Sequence, residues 1–155
     1  MNDLLDAVDR QLLTLLQADA SRSNQALAEA AQISPATALR RVRRLTEQGV
    51  IERVVALVSP EAVPGSLTAL VEVTLDRQGA EHLQAFEDLA VADPAVQQCY
   101  RVSPGPDLVL VVWALDMAGY QAVVERLFTQ HANVRNVRAF FSVKRAKFEP
   151  IVPLA

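Results

Sequence analysis

Four arginines lie within five consecutive positions of this 155-residue chain, at Arg40, Arg41, Arg43 and Arg44. Between positions 33 and 48 the only acidic residue is Glu47, so few carboxylates within that stretch can neutralise the arginines. Guanidinium groups bind DNA phosphates and can bridge the two acceptors of a guanine in the major groove. The cluster therefore suggests contact with DNA, although a run of charge also occurs on helix faces that meet only solvent.

The flanking residues predict that the arginines lie on a helix. Ser34 followed by Pro35 is a good helix start, because serine caps the first turn and proline fits the first helical position. Gly49 marks the end. On a helical wheel we expect Leu39, Val42 and Leu45 to face inward. The opposite side then carries Ala36, Thr37, Arg40 and Arg44, with Arg41 and Arg43 flanking it.

Two shorter helical patterns precede this one. Residues 4–20 repeat leucine and valine at helical spacing after Asp3 or Asp6, and Ser23 or Asn24 can cap a second helix. Three helices within the first 50 residues, the last two joined by a tight turn, indicate a helix-turn-helix, in which the third helix enters the major groove. Thr37, Arg40 and Arg44 are the best candidates for base contact, and Arg41 and Arg43 for phosphate or structural roles. The full set of predicted DNA-binding residues is Ser34, Pro35, Ala36, Thr37, Arg40, Arg41, Arg43 and Arg44.

The charge distribution supports a local DNA-binding patch. The net charge is −3, but residues 1–60 hold seven basic and seven acidic residues, whereas residues 61–155 hold eight and eleven. The acidity thus lies in the second part of the chain, and DNA binding needs a basic patch rather than a basic protein. One cysteine, no membrane-length apolar run and no signal-peptide pattern are typical of a cytoplasmic protein.

The second part of the chain changes to alternating patterns. Residues 66–75, 96–102 and 134–144 alternate and read as strands, and residues 108–115 are almost wholly apolar, as a central strand covered on both faces would be. Residues 79–92 and a segment after Asp116 read as helices. The last helix, which Asp116 can cap, carries Met117, Tyr120, Val124 and Leu127. Alternation along the second strand groups Val96, Gln98, Tyr100 and Val102. The order β-α-β-β-α-β predicts a ferredoxin-like domain. One sheet face would lack helices, and a second copy of the chain is its simplest cover.

These patterns predict an α+β protein with two domains. Residues 1–50 form a three-helix, winged-helix-like helix-turn-helix domain, and residues 51–65 a hinge strand and linker. Residues 66–155 form the βαββαβ domain, to which a family resemblance assigns effector binding and oligomerisation. Val50 to Val58 is β-branched and reads as an extended strand, and the following Pro- and Gly-containing segment reads as the linker.

The chain resembles the leucine-responsive regulator/asparagine regulator (feast/famine) family of prokaryotic transcription factors over nearly its whole length. The resemblance rests on Ile33-Ser34-Pro35, Arg41-Val42-Arg43-Arg44-Leu45, Gly49-Val50-Ile51, Val71-Glu72-Val73, Cys99-Tyr100, Asp107, Asp116-Met117 and Tyr120, among others. It implies a transcriptional regulator that binds double-stranded DNA and forms homodimers, often assembled into octamers. It also implies a small-molecule effector, an amino acid or related metabolite, bound at contacts between dimers.

The predicted effector site departs from the family pattern. The family's loop resembles Thr-Gly-Asp-Tyr-Asp-Tyr, whereas this chain has Ser103-Pro104-Gly105-Pro106-Asp107-Leu108. Each proline removes a backbone N–H that could bind a carboxylate. The resemblance places the effector-binding residues at Ser103, Pro104, Gly105, Asp107, Asn133, Val134 and Ala139. We expect a different effector or weak amino-acid binding, with Asp107 either holding an ammonium group or fixing the turn.

Other chemistry has little support in the sequence. His82 and His131 have no cysteine or histidine partner at metal-binding spacing, and Cys99 lies mid-strand without a neighbouring histidine or lysine. We therefore expect no metal and no cofactor. The main alternative is a siroheme-decarboxylase-like enzyme, since those enzymes resemble the same two-domain architecture and fold alone does not exclude them. A ligand-sensing module that has lost DNA binding is a second alternative.

Overall fold

A computed structural model describes residues 5–154. Two compact units are present, one containing the chain up to Leu57 together with the segment from Lys147 onward, the other Val58–Ala146. The return of the C-terminal segment differs from the predicted domain boundaries, which assigned residues 66–155 to one domain. It has a specific anchor, because the Gln17 amide donates to the Val152 carbonyl at 3.0 Å and accepts from the Val152 N–H at 2.8 Å.

The first unit contains three helices, α1 (Ala7–Ala18), α2 (Asn24–Ala30) and α3 (Pro35–Glu47). Asp6 caps α1 and Ser23 caps α2, which settles both predicted alternatives; Asp3 lies outside the described residues. Leu12 and Leu27, both almost fully buried, form the small core with Ala31. The helical pattern and its caps therefore predicted the helix-turn-helix correctly.

Residues 51–58 are not a strand, which corrects the predicted hinge strand. They adopt no regular secondary structure, and Val54, Val55, Leu57 and Val58 are 58–71% exposed. Extended backbone becomes a strand only when a neighbouring strand takes up its N–H and C=O groups. Within residues 5–154 this segment has no such partner, and its β-branched composition alone is not sufficient.

The second unit is the predicted βαββαβ domain. Its elements are β1 (Leu67–Leu75), α4 (Ala80–Ala92), β2 (Val96–Arg101), β3 (Leu108–Ala114), α5 (Met117–Val124), a π-helical turn at Glu125–Thr129, and β4 (Val134–Phe141). The antiparallel sheet has the order β2-β3-β1-β4. Alternate residues of β1 and β3 are buried, and Phe86 of α4 is fully buried in the same core.

Two details of the second unit differ from the sequence pattern. The β2–β3 register shifts between Val96 and Gln98, so Val96 and Cys99 both pack against the core and Tyr100 is 52% exposed. The predicted grouping of Val96 with Tyr100 was wrong, because a bulge reverses the alternation. Met117, which belongs to the apolar pattern of this helix, lies in its first turn and is 47% exposed, whereas Tyr120 is buried.

Candidate DNA-binding helix and ligand-binding loops

Helix α3 begins as its sequence predicts. The Ser34 hydroxyl accepts a hydrogen bond from the Thr37 N–H at 3.2 Å and lies 2.8 Å from the Thr37 hydroxyl, and Pro35 occupies the first turn. At the other end Gly49 has φ +71°, a left-handed conformation that glycine adopts without strain. The exposed start of α3 can meet DNA phosphate, with the Thr37 hydroxyl already engaged by Ser34.

The outer face of α3 differs from the predicted one. Leu39, expected inward, is 53% exposed, whereas Ala38 is fully buried. The exposed stripe runs along residues three and four apart: Ala36, Leu39, Arg40 and Arg43. Arg41 and Arg44 are turned toward α1, and since Leu39 and Arg41 are about 200° apart on the helix, that rotation sends Leu39 outward.

Asp9 of α1 sets this rotation. Asp9 as a residue is 1% exposed, and its carboxylate accepts hydrogen bonds from Arg44 Nη2 at 2.5 Å and from Arg41 Nη1 at 2.9 Å. Arg41 also reaches Asp6 at 2.7 Å. A buried carboxylate is costly unless cations and hydrogen bonds compensate it, and here two arginines do so. Sequence reasoning missed this network, although Asp9 falls on the same helical face as Leu12 and signals a buried charge.

The pKa values of Asp6 and Arg41 in this network both shift in the direction that favours the charged form. The pKa of Asp6 is lowered, first by the hydrogen bond from the Asp9 N–H and then by the Arg41 guanidinium. The pKa of Arg41 is raised, chiefly by its hydrogen bonds to Asp6 and Asp9. Both groups therefore stay charged across the physiological range.

The remaining two arginines are accessible. Arg43 makes an exposed ion pair with Glu47 one turn along the helix at 2.8 Å, with 77% of the arginine side chain exposed. Arg40 is exposed and has no ion pair within the part of the chain that the structure describes. Exposed surface pairs are weak and readily exchanged, so both guanidinium groups can turn to an anionic partner.

The predicted effector residues lie mostly at one end of the sheet. Asp107 accepts hydrogen bonds through one carboxylate oxygen from the Leu75 N–H at 2.7 Å and the Gln78 amide at 3.2 Å. The Asn133 side chain accepts a hydrogen bond from the Arg77 N–H at 2.8 Å and donates one to the Arg77 carbonyl at 3.1 Å. Both side chains therefore fix the loop between β1 and α4. The alternative role expected for Asp107 was to fix its own hairpin turn, but its carboxylate instead holds Leu75 at the end of β1 and Gln78 beyond it.

The other members of the predicted effector set are more dispersed. Ser103, Pro104 and Gly105 are exposed in the β2–β3 loop, with Gly105 at φ +130°. Val134 and Ala139 pack against the core instead, and Ala139 pairs with Val71 in the middle of β4. Their effector roles stay predictions.

A cavity of about 310 Å³ opens at the same end of the sheet. It is lined by Asp76, Arg77, His82, Ala132 and Asn133. It is within the size range of small-molecule sites. Acidic and basic side chains both line it, and the sequence patterns did not single out Asp76 or Arg77.

Cys99 and His131, which were considered for other chemistry, have surroundings that favour packing roles. Burial raises the pKa of the Cys99 thiol, which disfavours the reactive thiolate. His131 packs edge-on against Phe86, with ring centroids 5.3 Å apart. Over residues 5–154 no group of three or more His, Cys, Asp or Glu side chains is placed to hold a metal ion. In the same range no helix is long and apolar enough to cross a membrane.

Two protein-family models match the two parts of this architecture. A winged helix-turn-helix DNA-binding model matches residues 5–52, and the Lrp/AsnC ligand binding domain matches residues 68–152, more than half of the chain. The chain belongs to the Lrp/AsnC family. Its first unit is thus a DNA-binding head, and its second a ligand-binding domain.

Known relatives of this Lrp/AsnC protein are regulators. It is 36% identical over 143 residues to an uncharacterized HTH-type transcriptional regulator of Haemophilus influenzae, covering 92% of this chain and 85% of that protein. It is 32% identical over 143 residues to the leucine-responsive regulatory protein of Escherichia coli K12, covering 92% and 87%. The protein is accordingly a ligand-responsive transcriptional regulator and not an enzyme, and these relatives give no support to the decarboxylase alternative.

A solved structure extends the similarity to the whole fold. A transcriptional regulator of Neisseria meningitidis in complex with L-methionine superposes with a TM-score of 0.83 at 28% identity, covering 96% of each chain. The two-domain α+β fold predicted from the sequence is therefore confirmed.

Proposed function

We propose that α3 of this regulator contacts the major groove of an operator through its exposed stripe, with Arg40 and Arg43 as the principal polar contacts. The observation that carries this assignment is the division of the four arginines. Arg41 and Arg44 are held by Asp9, whereas the other two face outward. Ser34 and Thr37, at the exposed start of the helix, are proposed to contact phosphate, with Pro35 packing beside them. This assignment narrows the predicted set, in which Arg44 was a favoured base contact.

Two single variants test this division. Replacing Arg40 by alanine weakens operator binding by about 1–3 kcal/mol if a base contact is lost, with no change in head stability. If Arg40 binds only phosphate, affinity falls similarly on all sequences and the salt dependence becomes shallower. Arg44→Ala acts instead through the fold, by leaving the Asp9 carboxylate with one cation fewer. Gel-shift titrations measure the operator affinity of the two variants. Unchanged affinity for Arg40→Ala would contradict the groove assignment.

We also propose a homodimer that buries the helix-free face of the sheet. Phe140, Leu70 and Val111 lie side by side in register across β4, β1 and β3, and the first two are 45% and 43% exposed. Apolar side chains in a continuous row favour a covering partner. A two-fold dimer would present two heads to successive half-sites, and further assembly to an octamer would allow DNA to wrap. Light scattering of the full chain tests this, and a monomer at micromolar concentration would exclude it.

The effector is proposed to be an amino acid or related metabolite, bound in the cytoplasm at the loop end of the ligand-binding domain. The L-methionine complex of the Neisseria meningitidis regulator supports the ligand class. The two prolines of the Ser103–Asp107 loop and the occupied oxygen of Asp107 support a different or weaker preference here. Calorimetry with the full chain against the common amino acids tests this. Micromolar binding of leucine would contradict the proposal.

A further inference from the structure

Leu39 is an exposed leucine in the middle of the DNA-facing stripe of α3. It is 53% exposed, and its neighbours along the stripe are Ala36, Arg40 and Arg43. A leucine left in water loses the favourable free energy of burial, so a functional surface gains from giving it an apolar partner. Its placement follows from the Asp9 network, which turns Arg41 and Arg44 toward α1.

The chemistry of the surrounding stripe identifies the partner. Two guanidinium groups with accessible faces flank Leu39, and the small Ala36 one turn earlier allows close approach. A basic surface with one apolar centre complements the major groove of DNA. Among the base edges displayed there, the C5-methyl group of thymine is the apolar one. An apolar protein surface would not explain the two flanking cations.

We propose that Leu39 is a specificity-determining residue that contacts the methyl group of a thymine in each operator half-site. This inference rests on the proposed groove contact of α3 and adds the base that the helix distinguishes. Burying one methyl group changes binding by about fourfold, and about fifteenfold when both half-sites of a dimer are altered together. Arg40 and Arg43 supply affinity beside it, while Leu39 distinguishes thymine from bases that lack the methyl group.

Deoxyuridine substitution tests the contact, because it removes only the methyl group and keeps every base-pairing atom. Duplexes are first selected from a random library with the full-length protein. Thymines of the selected site are then replaced one at a time, symmetrically in both half-sites. We expect one position at which the wild-type protein binds the deoxyuridine duplex about fifteenfold more weakly. The Leu39→Ala variant should bind the thymine duplex more weakly than the wild type does. Its affinities for the thymine and deoxyuridine duplexes should be nearly equal at that position, so that their thymine-to-uracil ratio is near one.

A matched control is Leu115→Ala, since Leu115 is 61% exposed in the ligand-binding domain. It should keep the wild-type thymine-to-uracil ratio. Leu39→Gln, which keeps a long side chain, should also lose the ratio, and unchanged circular dichroism confirms that both Leu39 variants fold. An unaltered ratio in Leu39→Ala, or no position sensitive to the methyl group in the wild type, overturns the inference. Failure of the wild type to select any duplex would instead contradict the proposed groove contact itself.

Discussion

Replacing Asp9 by asparagine should destabilise the DNA-binding head while leaving the ligand-binding domain intact. The substitution keeps the size of the side chain and removes the charge that holds two arginines. Removal of one member of a fully buried ion pair costs about 3–5 kcal/mol. The side chains of Arg44 and Arg41 are 43% and 21% exposed, and Arg41 retains Asp6, so part of that cost is recovered. We expect a loss of about 2–3 kcal/mol in the free energy of unfolding of the head.

A loss of this size is large for a small unit. In domains of this length each kcal/mol shifts the melting midpoint by about 4–8 °C, so the head should melt roughly 10–20 °C earlier. Intrinsic fluorescence would miss the change, because Trp113, Tyr100 and Tyr120 all lie in the other unit. Hydrogen exchange of peptides from α1 and α3 in the full-length protein measures it directly.

The matched control is Asp6→Asn. Asparagine is also a good helix cap, so this variant keeps the cap of α1 and loses only an exposed ion pair with Arg41. Exchange protection in α1 and α3 should change far less than in the Asp9 variant. Equal losses in the two variants would show that the buried carboxylate does not organise the head and that Asp9 does not set the rotation of α3.

Three further predictions concern the rest of the chain. Phe86→Ala removes a fully buried ring and should cost about 3–5 kcal/mol, measured by urea unfolding of the ligand-binding domain; a loss below 1 kcal/mol would contradict its place in the core. The Arg126 hydrogen bonds lower the pKa of Asp93 below its ordinary value of 3.8, so this pair stabilises the domain above about pH 4 and the stabilisation disappears as pH falls through the lowered pKa. Asp93→Asn should therefore make the free energy of unfolding fall less steeply as the pH is lowered below about 4. An unchanged slope of that free energy against pH would exclude the pair as its source. Gln17→Ala should release the C-terminal segment from α1, seen as faster exchange around Val152, with unchanged exchange counting against the two hydrogen bonds.

The local structure of this protein could be predicted from its sequence because its determinants are close neighbours in the chain. Ser34 and Pro35 start α3, and Gly49 follows its end, through hydrogen bonds and backbone angles within one turn. Alternation of apolar residues in β1 similarly marks the buried face of the sheet, whereas β3 is apolar throughout and only the packing of the sheet decides which of its residues are buried. Element order then predicted the βαββαβ topology, since few arrangements cover such a sheet.

The orientation of α3 was decided by tertiary structure. Asp9 and Arg44 are 35 residues apart, and their contact exists only when α1 and α3 pack. That contact reverses the roles expected for Leu39 and Arg44, because a helical wheel gives angles within one helix and no information on which side faces its neighbour. The left-handed turn residue Gln32, at φ 54°, is likewise held by its surroundings in a conformation that its type does not favour.

At the end of the sheet that carries the β1–α4 loop, the sequence likewise determined the residues and the tertiary structure determined their contacts. The sequence singled out Asp107 and Asn133 separately, and the sheet brings both to the loop after β1, where they fix its backbone. The bulge in β2 is equally nonlocal, because register is set by the paired strand β3. The amino-acid sequence thus determined the elements, their order and the family. Packing between distant elements determined which side chains remain free to meet DNA and ligand.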